Sequence, residues 1–458
     1  MKSPLQPDIH SMIEARDFAS LKAGLREMEA HALAELLGGL EDEDLAMVFR
    51  LLPQGPAAEI FGALEIEQQE KLISVLSSEK VAAIVSDMPP DDRTELLEEL
   101  PGEIAQRLLQ SLRGDELRIA RSLLAYPEDS IGRLMTPEYV AVRPEWTAEQ
   151  VLAHLRKVAP TKETLYIVYV VDERGKLLDE IPLERIILAE PAQQVSQLMD
   201  ETVASLNASE DQEAAVEIFK KYDAVALPVV NRQGILVGIV TFDDVMDVAE
   251  EENTEDFQKM AGMGALEYSY FGTGFMGILR KRLPWLVLLL FAQMLTTLAL
   301  TSYNALPLFA LLVIFVPLIN SPAGNTGSQT AGLMIRSLAV QEVALRDWHR
   351  ILAREVLRGL VLGLALAAIG CFAAFVFAPL ASAALDRAQL PHVALSVALA
   401  ITAAVTLANV IGSMLPFFFK WVGLDPAVTS GPFIASVMDI SGIVIYFSIA
   451  TTLLAVSL

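Results

Sequence analysis

Between Leu283 and Ile335 the chain carries no Asp, Glu, Lys or Arg. So long an uncharged run exceeds one bilayer crossing of roughly 20 residues and suits two, with a break near Tyr303–Pro307. Further apolar stretches at about 359–380, 392–417 and 430–456 bring the expected number of spans to five. Basic residues are distributed unevenly between the loops. Arg280, Lys281 and Arg282, the segment from Arg336 to Arg358, and Lys420 all fall on one side, and the other side holds only Arg387. With the basic side inside, the N-terminus is expected in the cytoplasm and the C-terminus outside.

Charge divides the 458 residues as sharply as hydropathy does. The total is 34 basic against 58 acidic residues; residues 280–458 hold 10 and 6 of these, which leaves 24 and 52 for residues 1–279, a net of −28. Such a field repels nucleic acid and anionic lipid and attracts cations. The opening MKSPLQPDIH lacks the apolar core of a signal peptide, consistent with a cytoplasmic soluble half. Cys371 is the single cysteine, so one chain can build neither a disulfide nor a thiolate metal site. The five His are scattered, no nucleophile–base pairing stands out, and there is no GxxxxGK[ST] loop. Neither an enzyme nor an ATP-driven pump is expected.

Residues 1–130 read as an α-helical N-domain of short amphipathic helices in loosely repeated pairs, a small solenoid-like bundle. A strand–turn–strand texture follows. YIVYVVDERGKLL (166–178) and VALPVVNRQGILV (225–237) match in register 59 residues apart, each with a polar turn ending in Gly, Gly175 and Gly234. Each follows an LM-plus-polar stretch and a helix, giving a tandem β-α-β-β-α arrangement. It resembles a pair of CBS domains, at 131–193 and 194–252, an α+β module. Residues 253–279 continue an acidic linking helix, and 280–458 form the five-helix transmembrane domain.

In the fifth span a lone carboxylate, Asp439, sits in an apolar run, with Ala435 one helical turn before it on the same face. An ionised group at that depth is unfavourable unless it faces water, protein or an ion. The second span carries PLINSPAGNTGSQT (317–330), whose Pro, Gly, Asn325 and Gln329 suit a broken or tightly packed segment lining a cavity. Helix-packing contacts are the plain alternative for this segment, as a structural pairing is for Asp439. Mg²⁺ dehydrates reluctantly and binds through one or two carboxylates while keeping waters. One Asp per subunit at a two-fold axis, with amides nearby, could hold it through its water shell.

The order of helical N-domain, tandem CBS module, acidic linking helix and five spans resembles the MgtE family of magnesium channels over essentially the whole chain. PLINSPAGNTGSQ, DPAVTSGPFIASVMDISG and DDVMDVAEEENTEDFQKMAG carry the resemblance. One departure is Pro-Ala-Gly-Asn where the family more often has Gly-Gly-Asn. The resemblance implies a homodimer in the cell inner membrane, in contact with lipid and binding no nucleic acid. It makes Asp439 the ion-selecting carboxylate, with Asn325 and Ala435 lining the pore. It implies closure by cytosolic Mg²⁺ bound among acidic faces: Asp211, Glu213 and Asp223 in the second CBS repeat, Asp244, Asp247, Glu252, Glu255 and Asp256 at the junction, and Asp91 in the N-domain. Empty, these carboxylates would repel and release the linking helix; Mg²⁺ would bridge them. Thr241 and Asp244 also resemble the phosphate-side Thr and ribose-binding Asp of CBS nucleotide sites. The first repeat has Pro182 and Arg185 there, so at most one ATP site is expected. Two rival functions are a transporter of Co²⁺, Ni²⁺ or Mn²⁺ on the same scaffold and a membrane-anchored CBS nucleotide sensor.

Overall fold

The computed structural model describes residues 12–455 apart from positions 14, 16, 27, 29, 41, 53, 65, 201, 267–272, 307 and 382–385. It divides into two compact units, Met1–Glu252 and Asn253–Leu458.

The first unit opens with a repeat stricter than the sequence suggested. Helices α1 (Phe18–Arg26), α2 (Ala30–Gly38), α3 (Asp42–Leu51), α4 (Gln54–Gly62), α5 (Ile66–Val75), α6 (Ser78–Asp87), α7 (Pro90–Glu99), α8 (Gly102–Ser111) and α9 (Gly114–Leu123) begin every 12 residues. Four places in the period are buried and apolar. The fourth holds Leu21, Leu33, Leu45, Ala57, Val81 and Ala105. The seventh holds Val48, Ile60, Leu72, Ile84, Leu96, Leu108 and Ala120. The eighth holds Leu25, Leu37, Phe49, Phe61, Ile73, Val85 and Leu97. The eleventh, just past the helix, holds Leu40, Leu52, Leu64, Leu76, Met88, Leu100 and Leu112. Steps of four and three residues put these side chains on one helical face. Where the fourth place is polar, the side chain satisfies carbonyls left open at a helix end. Gln69 Nε2 donates to the Phe61 and Leu64 carbonyls at 2.9 Å, and Arg93 Nη2 donates to Met88 at 3.0 Å.

A short helix α10 (Ile131–Leu134) leads into the two α+β repeats. In the first, β1 (Ala141–Val142) pairs parallel with β2 (Ile167–Val171), which pairs antiparallel with β3 (Leu177–Pro182). In the second, β4 (Leu206–Asn207), β5 (Ala226–Val230) and β6 (Leu236–Thr241) repeat the pattern. Every boundary of β2 and β3 recurs 59 residues later in β5 and β6, as does the register shift at Val170/Val171 and Val229/Val230. The hairpin glycines both need positive φ, 80° at Gly175 and 76° at Gly234. The two turns bond each other reciprocally, Leu177 N–H to Gly234 O and Leu236 N–H to Gly175 O, both at 3.0 Å, which joins the repeats into one module. Helices α11 (Ala148–Val158) and α12 (Leu183–Leu188) belong to the first repeat and α13 (Glu213–Tyr222) to the second. Helix α14 (Phe242–Met260) follows β6 and carries the chain into the second unit.

Among the described residues, the second unit has five helices long and apolar enough to cross a membrane: Phe275–Thr301, Phe309–Ala339, Leu345–Ala381, Leu390–Trp421 and Gly431–Leu454. They contain α15 (Phe275–Thr301), α16 (Phe309–Val313) with α17 (Val316–Ala339), α18 (Trp348–Ala381), α19 (Leu390–Trp421) and α20 (Gly431–Ala455). Helix α17 runs unbroken through Pro322, so of the two expected forms the tightly packed one is present. Backbone approaches are close throughout. A Cβ on Gly359 would lie 2.8 Å from the Thr406 Cα, and one on Gly363 would lie 2.9 Å from the Thr402 backbone. A Cβ on Gly412 would lie 2.3 Å from the Gly327 carbonyl oxygen. Glycine is what permits helices to pack this closely in a membrane.

Candidate functional site

Helices α17 and α20 run antiparallel along a seam whose contacts repeat each turn. Ser328 Oγ donates to the Gly431 carbonyl at 3.0 Å. A Cβ on Gly324 would lie 3.4 Å from Ala435. Asn320 Nδ2 donates to the Asp439 carbonyl at 3.1 Å. Asp439 and Ala435 are both half-buried, one turn apart as expected. Asn325 adjoins the Gly324 crossing and is exposed, in line with Ser321 and Gln329, also exposed, at four-residue steps. The protomer's own helices leave this polar stripe uncovered.

Two membrane-domain residues escaped the sequence reading. Asn320, on α17, is 8% exposed and touches Asp439. Glu355, on α18, is 4% exposed and pairs with Arg358. Its backbone carbonyl accepts from Asn409, whose Oδ1 accepts from Thr330 at 2.9 Å, tying α18, α19 and α17 together.

In the first unit the acidic residues converge more than sequence indicated. Asp91 sits in the first turn of α7, a position the helix dipole favours, yet it is buried. Burial raises its carboxyl well above the usual range, and the charges of Asp244, Asp92 and Glu163 add to this. Burial likewise pushes Asp244 up to about 7, with Asp243 and Asp92 adding, against hydrogen bonds from the Thr241 hydroxyl and amide. Asp247, also raised by burial and by Asp243, acts on Asp92 and Glu95. Glu95 is pushed up to about 8 by desolvation and by Glu99 and Glu251. One carboxylate oxygen from each of Glu95, Glu99 and Glu251 lies within 4.8 Å of the others. These three side chains keep solvent access, so water screens part of their repulsion. Single acids in so acidic a chain carry no individual signal, which is why Asp92, Glu95, Glu99 and Glu251 went unread.

The other candidates do not all join this cluster. Asp211 and Glu213 stand at the start of α13, where Asp211 Oδ1 accepts from the Glu213 N–H at 2.9 Å. Asp223 is the left-handed C-cap of the same helix, with φ 48°. At about 1.5 Å per residue, the two ends are too far apart for one ion within a protomer. In the second unit Glu255 receives Lys259 at 2.6 Å, and Lys259 also reaches Asp425 at 2.7 Å. Glu252 and Asp256 lie on the same helix and are half-buried.

The raised carboxyls set a pH dependence. Below about pH 4 folded and unfolded chains both hold these protons. From there to about pH 8 the folded unit keeps protons that the unfolded chain has lost, so stability falls as pH rises and is lowest above that range. In metal-free buffer the first unit of the full-length protein is expected to melt several degrees lower at about pH 8 than at about pH 5.5. A divalent cation should raise the higher-pH melt more. Equal melts, with a cation effect independent of pH, would contradict this.

Comparisons with known proteins extend over both units. Residues 316–449 match the MgtE family, described as a divalent cation transporter. Residues 28–129 match the MgtE intracellular N domain, and 131–191 and 195–251 match the CBS domain. The magnesium transporter MgtE of Thermus thermophilus is 37% identical over 99% of this chain and 99% of its own. That of Bacillus subtilis is 29% identical over 93% of this chain and 95% of its own. Among solved structures, the cytosolic domain of the Mg²⁺ channel MgtE in complex with ATP is 36% identical. It covers 52% of this chain and 98% of that one, with a TM-score of 0.51. With a relative this similar along almost its entire length, the chain belongs to the MgtE family of divalent cation transporters.

Proposed function

We propose that this chain forms a homodimeric, Mg²⁺-selective channel of the cell inner membrane, N-terminus cytoplasmic and C-terminus external. It admits Mg²⁺ down its electrochemical gradient and is closed by Mg²⁺ bound among cytosolic carboxylates. The seam between α17 and α20 carries this reading: Asp439 lies beside a polar stripe, Ser321, Asn325 and Gln329, that the protomer leaves uncovered. Such a stripe is unfavourable against hydrocarbon and suits a second copy enclosing a wet path. One carboxylate with nearby amides fits an ion that keeps its waters. The relatives are magnesium transporters and a Mg²⁺ channel by name. An inside-negative potential of 100 mV favours entry of a divalent ion by about 4.6 kcal/mol, so no coupled energy source is needed.

For the gate, the crowded acids around Asp91, Asp244, Asp247 and Glu95 are unfavourable when ionised and empty. A bound divalent cation removes that penalty and favours the packed arrangement by mass action. We include Glu252, Glu255 and Asp256 in the same regulatory set, and Asp211, Glu213 and Asp223 as a separate acidic face. ATP is a narrower regulatory option. A related cytosolic domain was crystallised with it, but here Thr241 is engaged by Asp244 inside the acidic cluster. A metal-free titration with no ATP affinity, and Thr241→Ala identical to wild type, would remove it.

The test is Mg²⁺ uptake into proteoliposomes with low and high Mg²⁺ on the cytoplasmic face. Uptake suppressed by high Mg²⁺ is expected. Equal uptake at both concentrations would sink the gate, and stronger competition from Co²⁺, Ni²⁺ or Mn²⁺ than from Mg²⁺ would change the substrate. No uptake at all would favour the nucleotide sensor.

A further inference from the structure

We infer that Asn320 is a positioning residue that fixes the turn of α20 bearing Asp439 on the ion path, and that Gly442 is glycine to make room for it. The inference rests on the reading of Asp439 as the ion-selecting group. Asn320 Nδ2 donates to the Asp439 backbone carbonyl at 3.1 Å. Its other end, Oδ1, is buried without a partner. That oxygen lies against Gly442, where a Cβ would come within 2.2 Å of Oδ1 and 3.2 Å of Cγ.

Three physical points follow. The amide has one workable orientation, because turning it over would set Oδ1 against the Asp439 carbonyl oxygen. An unpartnered buried carbonyl is unfavourable, so a wholly apolar side chain would fit the packing at least as well; what Asn adds is its grip on the Asp439 backbone. A cationic donor in this place would also bond that carbonyl, but its charge would offset the carboxylate and repel the cargo. An amide holds the turn and leaves the carboxylate's charge for the ion. Asn320 and Asp439 stand at the third contact of a seam whose other contacts are made by Ser328 with Gly431 and Gly324 with Ala435. The turn that bears the carboxylate is therefore held from a helix whose own position is fixed.

A carboxylate on a turn free to shift accepts ions of several sizes; one on a turn held at a set place discriminates between hydrated ions. In reconstituted full-length protein, Asn320→Leu should raise the half-saturating Mg²⁺ concentration by about tenfold. Discrimination of Mg²⁺ against Ca²⁺ should fall, and maximal flux should change much less. Gly442→Ala, which displaces the amide without removing it, should reproduce both changes. In an Asn320→Ala background it should add nothing. Asn320→Ser provides the same readout if the Leu variant does not fold. Asp439→Asn is run beside them. If it leaves Mg²⁺ flux intact, the reading of Asp439 itself fails. If it abolishes flux while the Asn320 variants keep wild-type half-saturation and discrimination, the positioning role is overturned.

Discussion

Asp439→Asn is expected to lower Mg²⁺ uptake at least tenfold while leaving the protein folded. The substitution preserves shape and hydrogen-bonding capacity and removes one charge per protomer. A divalent ion about 5 Å from a carboxylate, across its water shell, gains roughly 2 kcal/mol at the dielectric of bulk water and about 7 kcal/mol at an effective value near 20. Even the lower limit exceeds the 1.4 kcal/mol that corresponds to a tenfold change in occupancy. No neighbour replaces the lost charge, because the span holds no other Asp or Glu and the residues across the seam are Asn320, Gly324 and Ser328. Uptake into vesicles, with elution volume as the folding control, measures the effect. Uptake within twofold of wild type would remove Asp439 from the ion path.

Gly412→Val is expected to cripple the membrane domain by forcing two of its helices apart. The obstacle at Gly412 is the Gly327 carbonyl, a backbone group of α17 that has no rotamer to change. A Cβ at 2.3 Å requires α19 and α17 to move apart. That movement would also strain the buried Thr330–Asn409 bond on the same pair of helices. Overpacking a filled interior costs about 1–3 kcal/mol even where side chains yield, and here the backbone must. The variant should elute as aggregate or melt several degrees lower in detergent. A melt unchanged from wild type would mean that the two helices are not packed this closely.

What could be read from sequence followed the strength of each local signal. The 59-residue repeat was visible because β-branched strands and a positive-φ glycine constrain the same places twice, and the structure keeps the offset down to the bulge. Five spans were visible because charge-free runs admit few other readings. The third helix begins at Trp348, ahead of its apolar stretch, because its N-terminal turns carry Arg350, Arg354 and Arg358. Asp439 stood out as a lone charge. Asn320 did not, because an amide in a Pro- and Ser-rich stretch looks like ordinary packing and its partner lies 119 residues away. The 12-residue period was seen only as loosely paired helices. Its content is four mostly apolar places, one of them outside the helix and one taken twice by a polar residue, Gln69 and Arg93, and the other eight vary more freely.

That freedom separates scaffold from address in the N-domain. The core needs the fourth, seventh, eighth and eleventh places of each period. Asp91, Asp92 and Glu95 occupy the second, third and sixth places of α7, and Glu99 the tenth, all outside the core set. The carboxylates are thus written into one rung of a ladder whose other rungs share its interior. Rewriting that rung would change what the ladder meets and leave its interior as it was. Moving the four acids one rung back, to the places of Glu79, Lys80, Ala83 and Asp87, would shift the charged face by one 12-residue step with no core residue exchanged. Where the first unit carries its crowded charge is therefore set by which rung carries the acids, not by the ladder itself.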